Sequence, residues 1–365
     1  MKIRAAVFRD GTHTPSMEEL VLAGPRAGEV LVKLVATGVC HTDLKSSGPG
    51  PVPKPVVLGH EGAGIVEAVG AGVTKVAKGD HVVMTFGFCG HCASCYDAEP
   101  AYCHNQGALN FFCSPVEGLR FKDAKGADVH GDFFSQSSFA THAVGHERNV
   151  VKVRKDAPLE LLGPLGCGIQ TGAGAILNDF KLKPGQTLAV FGVGALGLSA
   201  IMAAQIAGAS RIIAIDRHQH RLDLARELGA HETIMAGADP VSAQVLGFVP
   251  DGVNFALDTT GVLSVMRQAI DSLAPRGMAG FVTSPWDGSE LSVSVRHLLF
   301  GRKIRGIIEG NSNPDVFIPM LIDFYMQGRF PFDRLVKFYP FDKIADAFRD
   351  SEAGTTVKPI LRIAA

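Results

Sequence analysis

The 365-residue sequence lacks net charge, like-charged runs and repeats. Its 35 Lys and Arg nearly balance its 36 Asp and Glu, which gives a formal net charge of −1. Without a basic patch or run, neither nucleic acid nor an anionic membrane surface is an expected partner. The apolar runs are too short to span a bilayer, and the start MKIRAAVFRDG does not resemble a signal peptide. We therefore expect a soluble, cytoplasmic protein that is neither a solenoid nor a propeller.

Composition and length indicate a folded chain of two domains. Hydrophobic residues make up 46% of the sequence and charged residues 19%, which is ordinary for globular proteins. Up to about residue 165 the sequence shows short β-like runs broken by Gly and Pro, such as EVLVKLVATGV, GAGIVEAVGAGV and DHVVMTF. From about 170 it alternates strands with helices, which is typical of a doubly wound parallel sheet. We predict an α/β protein with a β-rich domain over 1–168, an inserted nucleotide domain over 169–307, and completion of the first domain by 308–365.

A glycine-rich loop lies between a predicted strand and a predicted helix. The loop is Gly192-Val-Gly194-Ala195-Leu196-Gly197, after the strand TLAVF, and Asp216 ends the next strand, RIIAID. Glycines at these positions allow a tight turn and the approach of a pyrophosphate to the helix N-terminus. Asp216 would accept hydrogen bonds from the adenosine ribose and repel a 2′-phosphate, which favours NAD over NADP, although the adjacent Arg217 would soften that preference. The alternative is that the glycines only pack a strand against a helix.

The seven cysteines indicate metal binding rather than disulfides. Four of them, Cys89, Cys92, Cys95 and Cys103, fall within fifteen positions, and the total is odd. Four thiolates suit a closed, structural zinc site in the loop 88–104. An iron–sulfur cluster is the alternative, although the last interval is longer than in the ferredoxin pattern. His91 and His104, in the same loop, are alternative ligands or solvated bystanders.

Cys40, His60 and Cys167 are too far apart for their spacing to carry meaning. Any one of them is more often a packed core residue than a ligand. Five segments, however, occur together in this order: CHTD, GHEGAG, CGHCASC with a further Cys, GPLGCGIQTGAG and GVGALG. In order and spacing they resemble the zinc-dependent medium-chain alcohol dehydrogenases, over essentially the whole chain. Within that family CHTDL, FFSQSSFATHAV, ELLGPLGCGIQTGAG and FPFDRLVKFY are most similar to the aryl-alcohol (benzyl alcohol) dehydrogenase branch.

The resemblance implies a GroES-like catalytic domain, a Rossmann domain and two zinc ions per chain. Cys40, His60 and Cys167 would hold a catalytic zinc with one open position, with Glu61 beside it. Asp43 would orient His60 through its other ring nitrogen. The alternative for both carboxylates is an ordinary surface or turn position.

The resemblance also implies a reversible, NAD-linked oxidation of a primary alcohol to an aldehyde. Thr42 matches the hydroxyl that receives the substrate proton. Many relatives continue the proton relay with a His three residues later, where this chain has Lys45. The proton would therefore leave directly to water or through Lys45.

Further contacts are implied for the cofactor and the substrate. His41, Arg221 and Lys358 match positions near the pyrophosphate and adenosine ribose, and Thr171 matches a hydroxyl that binds the nicotinamide carboxamide. Phe133 and Phe134 fall where the family lines the substrate pocket, which favours a bulky, flat alcohol, although aromatic residues are also common in a plain core.

Several alternatives remain at the level of sequence. Geraniol-type allylic alcohols and a glutathione-dependent formaldehyde dehydrogenase fit the same ligands. A zinc-containing nucleic-acid module, a metal-free quinone reductase and a non-catalytic scaffold protein fit less of the pattern. We expect a small-molecule alcohol or aldehyde as the partner, and a homo-oligomer, a tetramer rather than a dimer.

Overall fold

The chain divides into two compact units, each described here by itself from a computed structural model. The structure describes residues 1–9, 12–113, 118–237, 239–285 and 288–363. The first unit comprises Met1–Gly168, Asn313–Met326 and Phe332–Ala365, and the second comprises Ile169–Ser312 and Gln327–Pro331. The second boundary along the chain thus lies five residues beyond the predicted one, and a short piece after Met326 belongs to the second unit. In the described part of the chain, no helix combines the length and apolar character that crossing a bilayer would need.

The first unit contains two β-sheets. One has the strand order β4-β1-β2-β7-β8, and the other has the order β10-β6-β5-β3-β18-β17, with β9 also paired to β3. All pairs are antiparallel except β17 with β18. The strands are β1 (Lys2–Phe8), β2 (Ser16–Leu22), β3 (Glu29–Gly38), β4 (Val56–Val57), β5 (Gly62–Val69), β6 (His81–Met84), β7 (Phe121–Lys122), β8 (Asp128–Val129), β9 (His142–His146), β10 (Val150–Lys152), β17 (Val336–Pro340) and β18 (Lys358–Arg362).

Short helices and a shared core complete this unit. The helices are α1 (His41–Ser47), α2 (Ala93–Tyr96), α3 (Gln106–Asn110), α4 (Leu159–Leu162), α11 (Pro314–Met326) and α12 (Ile344–Glu352). The core is dominated by Val, Leu and Phe from both sheets. The ring of Phe348 lies 5.7 Å from that of Phe8 and 5.8 Å from that of Phe139, so α12 from the end of the chain packs on strands from its beginning. This packing is why Phe332–Ala365 belongs to the first unit.

The second unit is a parallel sheet with alternating helices. Its strand order is β13-β12-β11-β14-β15-β16, and every neighbouring pair is parallel. The strands are β11 (Thr187–Phe191), β12 (Arg211–Asp216), β13 (Glu232–Met235), β14 (Val253–Asp258), β15 (Leu273–Phe281) and β16 (Lys303–Gly306). The helices are α5 (Gly168–Gly174), α6 (Ala195–Ala207), α7 (Gln219–Glu227), α8 (Val241–Phe248), α9 (Leu263–Asp271) and α10 (Val295–Leu298). From β11 the chain adds β12 and β13 on one side of the sheet, and then β14, β15 and β16 on the other side. The predicted doubly wound fold is therefore confirmed.

Candidate metal centre and dinucleotide loop

Four side chains from three distant segments meet in the first unit. The ligand atoms of Cys40, His60, Glu61 and Cys167 all lie within 4.8 Å of one another. Cys40 is the N-cap of α1 at the end of β3, and His60 and Glu61 directly precede β5. Cys167 follows the turn Gly163–Gly166. Because β3 and β5 are antiparallel partners, with Thr37 opposite Gly62, the end of β3 and the start of β5 bring Cys40 and His60 together.

Asp43 fixes the orientation of the His60 ring. Its Oδ1 lies 2.9 Å from Nδ1 of His60 and accepts the N–H of Gly59 at 3.1 Å, while Oδ2 accepts the N–H of Cys40 at 3.0 Å. Both side chains are fully buried. A carboxylate acceptor at Nδ1 places the proton there and leaves the lone pair of Nε2 available. Asp43 is therefore placed where it can orient His60, as expected. Because its side chain is fully buried, it is not a surface carboxylate.

The buried Nε2 of His60 provides a test of whether a metal fits. Among the residues that the structure describes, this atom has no hydrogen-bond partner. It belongs to the same cluster as the sulfur atoms of Cys40 and Cys167. A buried polar atom without a partner is costly, and an imidazole with two thiolates is a preferred donor set for Zn²⁺. The residues present therefore fit a zinc ion.

The charges around the cluster favour the ionised thiolate. Hydrogen bonding with Cys167 holds the pKa of the Cys40 thiol well below its ordinary value. Burial lowers the pKa of His60, but Asp43 and Cys40 together outweigh this effect, so the net pKa is raised well above its ordinary value. An ionised thiolate is the form that binds metal.

Lys358, assigned to the cofactor by the resemblance, lies against Glu61. The sequence assigns it to the cofactor, but Lys358 is only 3% exposed, and its Nζ lies 2.6 Å from Oε1 and 2.5 Å from Oε2 of Glu61. Nζ also donates to the carbonyl of Val39. Burial raises the pKa of Glu61; for Lys358 burial lowers it, but Glu61 and Cys40 raise it more. The ammonium is therefore held beside the candidate metal cluster, and its role towards a cofactor stays a prediction.

Glycines make room for the Glu61 carboxylate. A Cβ at Gly38 would meet Oε2 of Glu61, and one at Gly163 would meet the Glu61 carbonyl oxygen, in both cases far inside normal contact distance. The segments that contain Gly38 and Gly163 can therefore approach Glu61 this closely only with glycine at both positions. The sequence shows both glycines without revealing this reason.

A buried amide that the sequence analysis did not single out holds the backbone beside His60. Gln136 is 1% exposed, and its Nε2 donates to the carbonyls of His60 at 2.9 Å and Thr85 at 3.2 Å. Its Oε1 accepts the N–H of Gly62 at 3.2 Å. Gln136 lies in the segment FFSQSSFATHAV, whose resemblance to relatives was the only available signal.

Gln136 belongs to a strained segment. Asp132, Phe134, Ser135 and Ser137 all have positive φ, between 51° and 59°. Each such residue costs roughly 1–3 kcal/mol, so the surrounding contacts must hold the segment in place. Ser137 supplies part of this support, because its hydroxyl accepts from Phe133 N and donates to the carbonyl of Val57. Clusters of strained residues are typical of functional sites.

Phe133 and Phe134 pack directly on the imidazole. The ring of Phe134 stacks on His60 with a centroid distance of 4.4 Å, and that of Phe133 meets it edge-on at 5.5 Å. Phe111 contacts Phe134 at 5.1 Å. The two predicted pocket residues are thus beside the candidate metal ligands, with 0% and 5% of their surface exposed. Their role towards a substrate stays a prediction.

The predicted relay residues lie on α1. The Oγ1 of Thr42 is 3.8 Å from the sulfur of Cys40, and Thr42 is partly exposed. His41 and Lys45 are exposed on the same helix. The structure therefore brings Thr42 to the cluster and places Lys45 one helical turn further on.

The four remaining candidate metal ligands form a separate cluster. The sulfur atoms of Cys89, Cys92, Cys95 and Cys103 all lie within 4.8 Å of one another. The N–H groups of Cys89, His104 and Asn105 point at these sulfurs, at 3.3–3.4 Å. Backbone donors of this kind stabilise thiolates. The four cysteine thiolates match the ligand set of a closed tetrahedral zinc site. His91 uses Nδ1 for the carbonyl of Cys89 and is not in the cluster.

In the second unit the glycine loop has the geometry that phosphate binding requires. Gly192 has φ +87°, and Gly194 is the N-cap of α6 with no atom near the position of a Cβ. A Cβ on Gly197 would lie 2.1 Å from the carbonyl oxygen of Gly192, so helix and loop can approach only through glycine. The N-terminal residues Ala195 and Leu196 present the first turn of a 13-residue helix.

Asp216 is tied to this loop. Its Oδ2 accepts the N–H of Val193 at 2.8 Å, and its Oδ1 accepts that of His218 at 2.9 Å. Arg221 lies 3.9 Å from Oδ2, whereas the guanidinium of exposed Arg217 donates to His218. A carboxylate oxygen has two lone-pair sites, so both oxygens can still accept from a ribose.

Thr171 lies on α5 and is largely buried. Its hydroxyl donates to Oε2 of Glu309 at 3.3 Å, and the neighbouring Gln170 donates to the same oxygen at 3.4 Å. Glu309 is itself buried and was not noticed in the sequence. A role of Thr171 towards a nicotinamide stays a prediction.

Comparison with known proteins adds to this geometry. Residues 26–155 match the alcohol dehydrogenase GroES-like domain, and residues 195–325 match the zinc-binding dehydrogenase domain. The chain is 44% identical to a geraniol dehydrogenase of Castellaniella defragrans, covering 98% of this chain and 97% of that one. A benzyl alcohol dehydrogenase from Acinetobacter calcoaceticus superposes with a TM-score of 0.96 at 46% identity, and an alcohol dehydrogenase zinc-binding domain protein from Burkholderia ambifaria with 0.98 at 51%; each match covers both chains fully.

Proposed function

This chain belongs to the zinc-dependent medium-chain alcohol dehydrogenase family, and from that premise we propose that it reversibly oxidises aromatic, benzyl-type primary alcohols to aldehydes with NAD⁺. One observation carries the proposal: Nε2 of His60, which has no hydrogen-bond partner among the described residues, lies in one cluster with Cys40 and Cys167.

Zinc is the ion that we assign to this cluster. Cys40, His60 and Cys167 would hold it, and four further thiolates, Cys89, Cys92, Cys95 and Cys103, would hold a second, structural ion. When bound at the first site, zinc supplies a Lewis acid that polarises the hydroxyl oxygen of the alcohol. Asp43 keeps the His60 ring in the tautomer and orientation that binding needs.

Proton release is assigned to α1. The hydroxyl of Thr42 can accept the proton of the substrate hydroxyl while it donates its own proton onward. The exposed side chain of Lys45 and the surrounding water lie at the end of this path. Glu61, held by Lys358, lies beside the cluster without being one of its three proposed metal ligands.

The nucleotide is assigned to the second unit. The first turn of α6 offers backbone N–H groups to the pyrophosphate, and the absence of a side chain at Gly194 leaves room for it. Asp216 would accept the ribose hydroxyls and disfavour a 2′-phosphate, so NAD⁺ is proposed as the cofactor. His41, Thr171, Arg217, Arg221 and Lys358 are proposed as lesser contacts of the same cofactor.

The substrate class is supported by the aromatic side chains on His60. Phe111, Phe133 and Phe134 form a set of mutually contacting rings against the imidazole. Aromatic side chains favour a flat, unsaturated alcohol over ethanol, because such a substrate can stack on their rings. The second candidate is a geraniol-type allylic alcohol, because the chain is 44% identical to a geraniol dehydrogenase over almost its full length.

A substrate panel tests the proposal. Steady-state rates are measured for benzyl alcohol, geraniol, ethanol and hydroxymethylglutathione, each with NAD⁺ and NADP⁺. We expect the highest kcat/KM for benzyl alcohol with NAD⁺. Higher efficiency with geraniol selects the second candidate, and equal turnover of ethanol rejects both.

A variant tests the metal centre independently of the substrate. Cys40→Ala should reduce the zinc content from two ions to one per chain and abolish turnover, while the dinucleotide still binds. Full activity in this variant, or an unchanged zinc content, contradicts the assignment. Cys113→Ala is the matched control, because burial raises the pKa of this thiol to about 12 and it belongs to neither cluster.

A homo-oligomer, a tetramer rather than a dimer, remains the proposed assembly. The exposed apolar side chains Val295, Leu299 and Phe300 on the second unit support association. Light scattering coupled to gel filtration measures the mass, and a monomer at micromolar concentration contradicts it.

A further inference from the structure

The side-chain amide of Gln136 forms hydrogen bonds to the segment that carries His60 and to Thr85. Nε2 donates to the carbonyl of His60 and Oε1 accepts the N–H of Gly62, so the amide spans Glu61 from both sides. The second proton of Nε2 goes to the carbonyl of Thr85. Since Gln136 is 1% exposed, water does not compete for these groups.

Thr85 continues the connection to another candidate ligand. It is fully buried, and its hydroxyl donates to the carbonyl of Gly166 at 2.7 Å. Gly166 directly precedes Cys167, and a Cβ on Gly166 would lie 2.1 Å from the carbonyl oxygen of Met84, so this backbone is tightly confined. The chain of bonds therefore runs from His60 through Gln136 and Thr85 to the residue before Cys167.

The other side of the cluster has an equivalent connection. Asp43 accepts from the backbone N–H of Cys40 and bonds to the His60 ring. Asp43 thus joins Cys40 to His60, whereas Gln136 and Thr85 join His60 to Cys167. Together the two connections add side-chain hydrogen bonds between three segments that are remote in sequence, two of which also meet through the pairing of β3 with β5.

The strained segment explains how Gln136 reaches this position. The left-handed residues Ser135 and Ser137 flank it, and the carbonyl of Ser135 accepts from Asn149 at 3.1 Å. The hydroxyl of Ser135 donates to the carbonyl of Leu109 at 2.8 Å. Strain held by several independent bonds at one buried amide indicates a functional constraint.

We propose that Gln136 is a positioning residue of the metal centre, which together with Thr85 sets the distance and angle between the His60 and Cys167 ligands. This inference rests on the proposed function, because it presupposes that the cluster binds zinc. Gln136 itself touches neither substrate nor metal. It acts on the backbone of the ligands, as the outer hydrogen-bonding partners of metal sites do.

The test measures metal binding rather than turnover alone. In Gln136→Met the apolar side chain fills a similar volume and leaves the carbonyls of His60 and Thr85 without this donor. In a chelator competition, we expect the zinc ion at Cys40, His60 and Cys167 to bind at least about tenfold more weakly than in the wild type. This is the usual effect of losing an outer hydrogen-bonding partner of a metal ligand. Reconstitution with Co²⁺ should also show a changed absorption spectrum, because cobalt bands depend on ligand geometry. The ion of the four-cysteine loop should be unaffected and serves as an internal reference.

Thr85→Val provides a second, milder variant. It removes only the hydroxyl that donates to Gly166, and it keeps the shape of the side chain. We expect the same direction of change in zinc affinity and in the cobalt spectrum, with a smaller size. This variant decides the question by itself if Gln136→Met does not fold.

Ser272→Ala is the control, because it removes a buried hydrogen bond away from the cluster. Ser272 is fully buried in the second unit, and its hydroxyl donates to the carbonyl of Gln268 at 2.7 Å. This variant should lose thermal stability with an unchanged zinc affinity and an unchanged cobalt spectrum.

The outcomes separate this inference from the proposed function. Wild-type zinc affinity and cobalt spectrum in Gln136→Met or in folded Thr85→Val overturn the inference alone. The same metal defect in Ser272→Ala also overturns it, because the role of Gln136 is then merely structural. A wild-type protein without an ion at Cys40, His60 and Cys167 overturns the proposed function and this inference with it.

Discussion

Replacing Asp43 by Asn tests the most connected carboxylate of the candidate metal centre. The substitution keeps the shape of the side chain and removes its negative charge. The oxygen that remains can still accept from Nδ1 of His60 and from Gly59 N, as Oδ1 does at 2.9 and 3.1 Å. The new NH₂ group then replaces Oδ2 and faces the N–H of Cys40, which Oδ2 accepted at 3.0 Å. Two donors oppose each other inside a fully buried site.

The expected magnitude follows from these contacts. The loss of one hydrogen bond to a charged group lowers the free energy of unfolding of the metal-free protein by about 1.5–3 kcal/mol. Loss of the carboxylate partner of a histidine ligand weakens zinc binding by about 10–100-fold. That range corresponds to about 1.4–2.7 kcal/mol, so the zinc-loaded protein should lose more stability than the metal-free protein.

Two measurements distinguish these contributions. Guanidinium unfolding of the metal-free and zinc-loaded forms gives both free energies, and chelator competition gives the zinc affinity directly. Asp342→Asn is the control, because Asp342 forms an exposed ion pair with Arg4, and both quantities should stay unchanged there. Wild-type stability and zinc affinity in Asp43→Asn would refute the reasoning, since the hydrogen bond from Cys40 N and the negative charge would then contribute nothing.

Three other substitutions have expected outcomes. Cys103→Ser should remove one zinc ion per chain while activity at the other centre persists in the folded fraction, and metal analysis with thermal melting checks this; retention of both ions contradicts it. Lys358→Met leaves Glu61 buried without its partner and should lower the free energy of unfolding by about 3–5 kcal/mol, most of which the double variant with Glu61→Gln recovers. Equal stabilities of the single and double variants in denaturant titrations would contradict that coupling. Asp216→Ser should raise the ratio of NADP⁺ to NAD⁺ affinity by at least about tenfold, measured by calorimetric titration, because the repelling carboxylate is absent; an unchanged ratio rejects the role of Asp216.

The parts of the fold and site that could be predicted are those that local spacing determines. The strand–loop–helix pattern around Gly192–Gly197 indicated the parallel sheet, because each glycine has a stereochemical reason within six residues. The four clustered cysteines likewise indicated a metal loop without knowledge of the fold. Cys40, His60 and Cys167 carried no such signal, and only the resemblance of their flanking segments to a family assigned them together.

The parts that could not be predicted depend on contacts between distant segments. Lys358 looked like a free basic residue, although the fold buries it against Glu61, which precedes it by 297 positions. Gln136 gave no chemical signal either, because its partners are backbone groups that every residue possesses. Which carbonyl such an amide meets depends on strand pairing and on the left-handed turn around it, and neither is readable from composition or periodicity.

The two candidate metal clusters differ in how far their ligands are separated along the chain, and this difference bears on the order in which the protein matures. The four thiols between Cys89 and Cys103 can gather in an unfolded chain at the cost of closing one short loop. Ligands spread from Cys40 to Cys167 enclose a segment about nine times longer, or roughly three doublings, which adds about 2 kcal/mol of closure entropy. A nascent chain that competes for scarce zinc would therefore fill its short loop first and acquire the distant trio only after the sheets have paired.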